Sequence, residues 1–330
     1  MDNKTKMTSG LWRNFEHDLA NIILKYAFKE ENLNTNEPLG RIVYHYASLP
    51  SFSAIIQSQS LFCTNLNYLN DKKEFKFGVE QVLKVIDKLQ LENYSDSILN
   101  EVKEKIEDFY KTERFVTCFS KEGDMLSQWR AYANQGKGIS IGFDLHSLED
   151  SIEQPLKGSP VLYNNQKQLK TIEDIIKIII ENYEQIKDRF DWSDYGYERL
   201  ARLSIIDFLH RIVSSYKSDG FEEEKEFRLE YSIDGNFVKH GDDEVLYRAT
   251  ETMLVPYVIL QNKYSEYKKR IAESGDTVEH TFINKKLPIK EIIVGPSLDF
   301  DLTKASLQGL LKKLEYENVI IKKSKIPYRI

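Results

Sequence analysis

Only two cysteines, Cys63 and Cys118, occur in 330 residues. Two thiols cannot build a framework of several disulfides or a four-thiolate zinc site, and they fit a reducing compartment. Long apolar runs are missing as well: nothing approaches the ~20 residues a bilayer-spanning helix requires. The opening stretch has no apolar segment of signal length, because Asn14, Glu16, His17, Asp18 and Asn21 interrupt it. These absences predict a cytoplasmic protein that spans no membrane. A basic excess is also lacking. With 46 Lys and Arg against 52 Asp and Glu, the net charge of -6 leaves no field to draw the chain nonspecifically onto nucleic acid or anionic lipid. No GxGxxG, GxxxxGK[ST] or HExxH motif appears, which argues against Rossmann, P-loop and zincin chemistry. The six histidines form no HxH or HxxxH pair, so no zinc site is indicated.

What is present suffices for a substantial core: 41% hydrophobic and 12% aromatic residues. Leu11, Phe15, Leu19, Ile22, Ile23 and Tyr26 recur at helical spacing, so an amphipathic helix over 11–30 is expected to dock elsewhere in the chain. RIVYHYAS, SLFCTN, FVTCFS, GISIGFD, TMLVPYVIL, IKEIIVGP and VIIKKS read as strands. EKEFRLEYS (224–232) alternates charged and apolar residues, which predicts a strand with Glu224, Glu226 and Arg228 on one face. Helices are expected over 49–60, after NYLND, over 96–113, in DMLSQWRAYA, at 169–186 and 197–216, and from Leu302 to Leu314. In the NQGKG turn, Gly136 and Gly138 are free to take positive φ. Strands and helices interleave without regular βαβ spacing, so the class is α+β. The expected organisation is one elaborated domain. It comprises an N-terminal helix and linker (1–38), a first core half (39–168), a helical insertion (169–218) and a second core half (219–330).

Three charges on one strand face require solvent or a polar cleft. Glu224, Glu226 and Arg228 therefore read either as a solvated ion-paired face or as carboxylates that hold a sugar diol, with Arg228 fixing one of them. His45, between two tyrosines on its strand, is either structural or part of a site whose polar rim includes Asn67, Tyr68, Asn70 and Asp71. Asn70, Asp71 and Glu74 could join Glu224 and Glu226 around magnesium in a nuclease; the plainer reading is an Asx turn that caps the next helix. Trp129 and Tyr132, at i and i+3, cannot both occupy the most buried stripe, so one of them is expected to line a cleft and stack on a planar ring. KKSKIPYRI reads as a solvated edge strand, in a final 30 residues with seven basic and three acidic side chains.

The order VYHYAS, LNDKKEF, TCFSKEGDMLSQWRAYANQGKGISIGFD, FEEEKEFRLEY, IKEIIVGP and SKIPYRI resembles the bacterial domain-of-unknown-function family 2971, from about Arg41 to Ile330. Such proteins also look like remote relatives of ADP-ribosyltransferases. That resemblance implies an ADP-ribosyltransferase-like fold with a split mixed or antiparallel sheet, and NAD as substrate with no metal. It implies His45 as the early-strand histidine, Glu226 as the late-strand catalytic glutamate, Glu224 as the first acid of a Glu-x-Glu pair and Arg228 as its support. The middle element is open among Tyr68, Ser120 and Tyr132; Tyr46, Asn70, Asp71 and Trp129 complete the expected nucleotide site. Transfer to water would make the protein an NAD glycohydrolase. Transfer to a protein or nucleic-acid acceptor would make it a transferase, of the kind found among toxins and phage-defence effectors. A non-enzymatic sensor that docks a partner through 169–218 is the remaining alternative.

Overall fold

The computed structural model describes residues 5–6, 10–11, 14–15, 17–19, 42–69, 74–106, 113–150, 157–192, 196–232, 245–250, 252–260 and 286–328. Its labelled strands are β1 (Ile42–Ser48), β2 (Leu61–Asn65), β3 (Arg114–Ser120), β4 (Gly138–Asp144), β5 (Lys157–Pro160), β6 (Glu226–Ser232), β7 (Leu246–Ala249), β8 (Leu254–Leu260), β9 (Ile289–Val294) and β10 (Ile320–Lys323). The helices are α1 (Leu49–Ser58), α2 (Glu74–Leu91), α3 (Asp96–Ile106), α4 (Leu126–Tyr132), α5 (Leu145–Asp150), α6 (Asn165–Ile186), α7 (Tyr197–Val213) and α8 (Phe300–Lys313). The chain is thus a mixed helix-and-sheet protein. It divides into two compact units, one of 1–37, 70–112 and 162–221, the other of 38–69, 113–161 and 222–330.

The first unit is helical. On α6, Ile172, Ile175, Ile176, Ile179, Ile180 and Tyr183 are buried at the three- and four-residue spacing of one helix face, and Asn164 caps the helix by accepting from the Lys167 amide. Tyr183 meets Ser204 of α7 at 2.8 Å through their hydroxyls, and the Phe15 ring stands edge-on to Tyr183 at 4.9 Å. Phe15 belongs to the N-terminal stretch expected to dock; most of 11–30 lies outside the described residues. The expected insertion at 169–218 falls in this unit together with 70–112.

The second unit holds one mixed, open ten-stranded sheet in the order β10-β9-β4-β1-β3-β2-β8-β7, with β6 pairing both β3 and β5. Its larger core lies on one face. There Val43, Ala47, Phe115, Phe119, Ile139, Ile141, Phe143, Phe227 and Leu229 pack with Phe52 and Ile56 of α1 and with Leu307 and Leu311 of α8. Gly138 is needed for close approach rather than for φ, because a Cβ there would stand 2.3 Å from the Ala47 carbonyl oxygen. Of the two turn glycines only Gly136 has positive φ, at 80°.

β3 is the spine of this sheet. Along one edge it pairs with β6 over its full length, from Arg114 with Ser232 to Ser120 with Glu226. Its other edge is shared: β1 meets it at Ser120 through Tyr44, and β2 meets it at Phe115 and Val116. Between those points side chains span the seam. His45 Nδ1 bonds the Cys118 carbonyl at 3.0 Å, and Thr117 Oγ1 donates to the Phe62 carbonyl at 2.9 Å.

Candidate functional site

Strand pairing decides which expected residues can meet. The cross-strand partners Tyr44 with Ser120, Ser120 with Glu226 and Cys118 with Arg228 put Tyr44, Tyr46, Ser120, Glu226 and Arg228 on one face of the sheet. His45 belongs to the other face, opposite Ile141, with its ring 5.8 Å from that of Phe119. Two expected partners, His45 and Glu226, thus lie on opposite faces. Because a carbonyl only accepts, His45 Nδ1 carries the proton toward Cys118. Burial lowers the His45 pKa, so the ring is neutral at physiological pH.

The glutamates differ more than their alternation suggests. The strand begins at Glu226, not Glu224: Glu222, Glu223 and Glu224 close a 3-10 turn, and Lys225 breaks the alternation with φ 45°. Glu226 and Arg228 form a bidentate pair, Nε to Oε1 at 2.8 Å and Nη2 to Oε2 at 3.0 Å, with only 5% and 1% exposure. A second pair lies further along the same face, Arg114 Nη1 donating to Glu230 Oε1 at 3.0 Å. Of the two readings of this face, the solvated one fails for Glu226 and Arg228, which belong to a mostly buried ionic stripe.

Glu224 is half-buried, and its Oε1 accepts from the Tyr132 hydroxyl at 3.2 Å. Ser120, 2% exposed, donates to the Glu224 carbonyl at 3.0 Å and accepts from the Glu122 amide. Across this turn Lys225 Nζ reaches Glu122 Oε1 at 3.3 Å. Tyr132, Glu224 and Ser120 are thus brought together, with Glu226 beside Ser120 on the adjacent strand. Tyr132 is 38% exposed while Trp129 is fully buried, so Tyr132 is the member of the pair that solvent reaches. The nucleotide-contact role expected for Trp129 gives way: its ring packs edge-on against Tyr46 at 4.9 Å, and its Nε1 donates to Asp124 at 2.7 Å. Tyr46 is similarly occupied, donating to the Glu122 carbonyl and accepting from the Met125 amide. Burial is the largest cause raising its pKa.

Tyr68 stands exposed on a turn after β2, beyond the Arg114 end of β3. The six steps from Arg114 to Ser120 put it ~20 Å of strand length from Ser120. Asn70 and Asp71 lie outside the described residues, as does the Glu74 side chain. Among the described residues no group of three or more His, Cys, Asp or Glu could hold a metal ion. Nor is any described helix long and apolar enough to cross a membrane.

Two features escape the sequence reading. Residues 138–142, Gly-Ile-Ser-Ile-Gly, have the spacing of a hydrolase nucleophile elbow. They lie wholly within β4, with Ser140 fully buried between Tyr46 and Ile293 rather than exposed at a strand-to-helix turn. The second is Asp124, whose carboxylate collects donors from Trp129, Ser324 and the Lys325 amide. Its signal is an acid directly before an aromatic-bearing helix.

A family model described as "Protein of unknown function (DUF2971)" matches residues 128–229, which supports the resemblance to that family. The matched stretch contains Tyr132, Glu224, Glu226 and Arg228 but not His45. No curated protein and no solved structure matches the chain.

Proposed function

We propose that the face bearing Tyr132, Ser120 and Glu224 binds NAD and transfers its ADP-ribosyl group to an oxygen nucleophile. The observation that carries this reading is the pairing of a half-buried carboxylate with an exposed aromatic hydroxyl, Tyr132 to Glu224 at 3.2 Å. Beside them a second glutamate, Glu226, is locked on Arg228. The remote resemblance to ADP-ribosyltransferases supports it.

In this reading the Tyr132 ring stacks on nicotinamide, and Glu224 accepts from a ribose hydroxyl and stabilises the oxocarbenium-like transition state. The bond from C1′ to the nicotinamide nitrogen breaks, and its electron pair leaves with neutral nicotinamide. The nucleophile's oxygen bonds to C1′, and its proton passes to Glu224. Glu226, both oxygens on Arg228, fixes the floor of the site, and His45 belongs to the seam on the other face.

The test is nicotinamide release from NAD, followed by chromatography. Glu224→Gln should lower the rate ~100-fold or more while calorimetry still detects NAD binding. Wild type inert toward water and every acceptor tried, with no NAD binding, would overturn the reading.

A further inference from the structure

KKSKIPYRI was expected as a solvated edge strand; Lys322 and Lys323 do end the edge strand, but Ser324–Tyr328 turns onto α4. Ser324 Oγ donates to Asp124 Oδ1 at 2.5 Å, and the Lys325 amide donates to Oδ2 at 2.7 Å. The same Oδ1 accepts from Trp129 Nε1 at 2.7 Å, so one carboxylate ties the strap to the helix. Ile326 packs against the cluster of Tyr46, Trp129, Ala133 and Ile293. Beyond it the Arg130 guanidinium lies 5.1 Å over the Tyr328 ring, whose hydroxyl donates to Gln135 Oε1 at 3.3 Å. Ser324–Tyr328 therefore touches α4 before its first turn, at its middle and after its last.

This helix depends on such support. It has seven residues, its N-cap Met125 makes no side-chain capping bond, and helices this short are not stable alone. Trp129 and Tyr132 sit one turn apart on it, the first held by Asp124 and the second reaching Glu224. The sequence blocks that carry the family resemblance converge here: VYHYAS supplies Tyr46, the central block α4, IKEIIVGP Ile293 and SKIPYRI the strap.

We propose that Asp124 is a positioning residue through which the C-terminal segment Ser324–Tyr328 sets α4, and with it Tyr132, over Glu224. Its meaning for catalysis rests on the proposed use of Tyr132 and Glu224; the positioning itself does not.

The experiment is hydrogen exchange by mass spectrometry on the full chain, on Asp124→Asn, on Ser324→Ala and on a chain ending at Lys323, with steady-state NAD turnover alongside. Ending the chain at Lys323 should speed exchange in 126–137 about tenfold or more and leave 138–144 unchanged. Asp124→Asn and Ser324→Ala should give the same local effect, several-fold smaller, and Ser324→Thr should restore protection. In turnover these variants should raise KM for NAD more than they lower kcat, whereas Glu224→Gln lowers kcat with exchange unaltered. Wild-type exchange in 126–137 for Ser324→Ala and the shortened chain would overturn the proposal. If the shortened chain exchanges faster throughout, Ser324→Ala alone decides. Absence of NAD turnover in wild type would sink the proposed reaction and leave the exchange result standing.

Discussion

Replacing Glu226 by Gln removes one charge from a pair that solvent barely reaches. Both carboxylate oxygens of Glu226 sit on the Arg228 guanidinium at 2.8 and 3.0 Å, and exposures of 5% and 1% leave little water to take over. Taking the carboxylate away from a guanidinium so buried costs about 3–5 kcal/mol of stability, as does Arg228→Met, which takes the guanidinium away from the carboxylate. Substituting both together, Glu226→Gln with Arg228→Met, removes both charges and strands neither, so the double variant should fall short of the summed losses by about 2–4 kcal/mol. Urea unfolding followed by far-UV circular dichroism, with the slope checked for each variant, measures the cycle. Glu224→Gln, which keeps an oxygen to accept from the exposed tyrosine and loses only the charge, should stay within about 1 kcal/mol of wild type. Single losses below about 1 kcal/mol that simply add would refute the reasoning, because the pair would then behave as a solvent-screened surface bridge.

Two further outcomes come from the buried titratable groups. Burial lowers the folded-state pKa of His45 below its unfolded value, so the unfolded chain binds the extra proton. His45 should therefore cost nothing above pH ~6.5 and destabilise as pH falls below it, with a limiting slope of ~1.4 kcal/mol per pH unit until the folded pKa is passed. His45→Gln should flatten that part of the acid limb, and identical limbs would contradict the assignment. Burial pushes the Cys63 thiol up to about 12, with Thr117 only partly opposing it, so Cys63 should resist a disulfide reagent at pH 8 until the chain unfolds. Half-buried Cys118 should react first, and two equally fast thiols would count against the packing at Cys63.

Local chemistry made much of this fold readable. Period-two segments at 42–48, 115–120, 138–144 and 289–294 became strands because their alternation or apolar runs match a sheet buried on one or both faces. The helix expected from Leu302 appears as Phe300–Lys313, started by Asp299 accepting from the Leu302 amide. Face assignment was not legible. The parity of His45 against Glu226 is set by Tyr44 meeting Ser120 and Ser120 meeting Glu226, pairings of residues far apart in sequence. The placement of Glu224 was not legible for a local reason: Glu224 has the parity of Glu226 and Arg228, and no pattern reveals the positive φ of Lys225 that ends the strand before it. Trp129 and Tyr132 came out as the spacing argument required, one sealed and one exposed.

The spine strand also sets an order of assembly. β3 ends at Ser120, yet its β6 edge pairs with residues that come 106 positions later at Ser120 and 118 later at Arg114. During synthesis that edge must wait for the intervening chain, including the whole 162–221 stretch of the other unit. At ~5–20 residues per second the delay is roughly 5–20 s, long compared with the formation of a hairpin. Through that interval the nascent chain carries a strand rich in Phe and Val with one side open. Its escape from aggregation then rests on how long that edge stays covered on the ribosome rather than on the stability of the finished sheet.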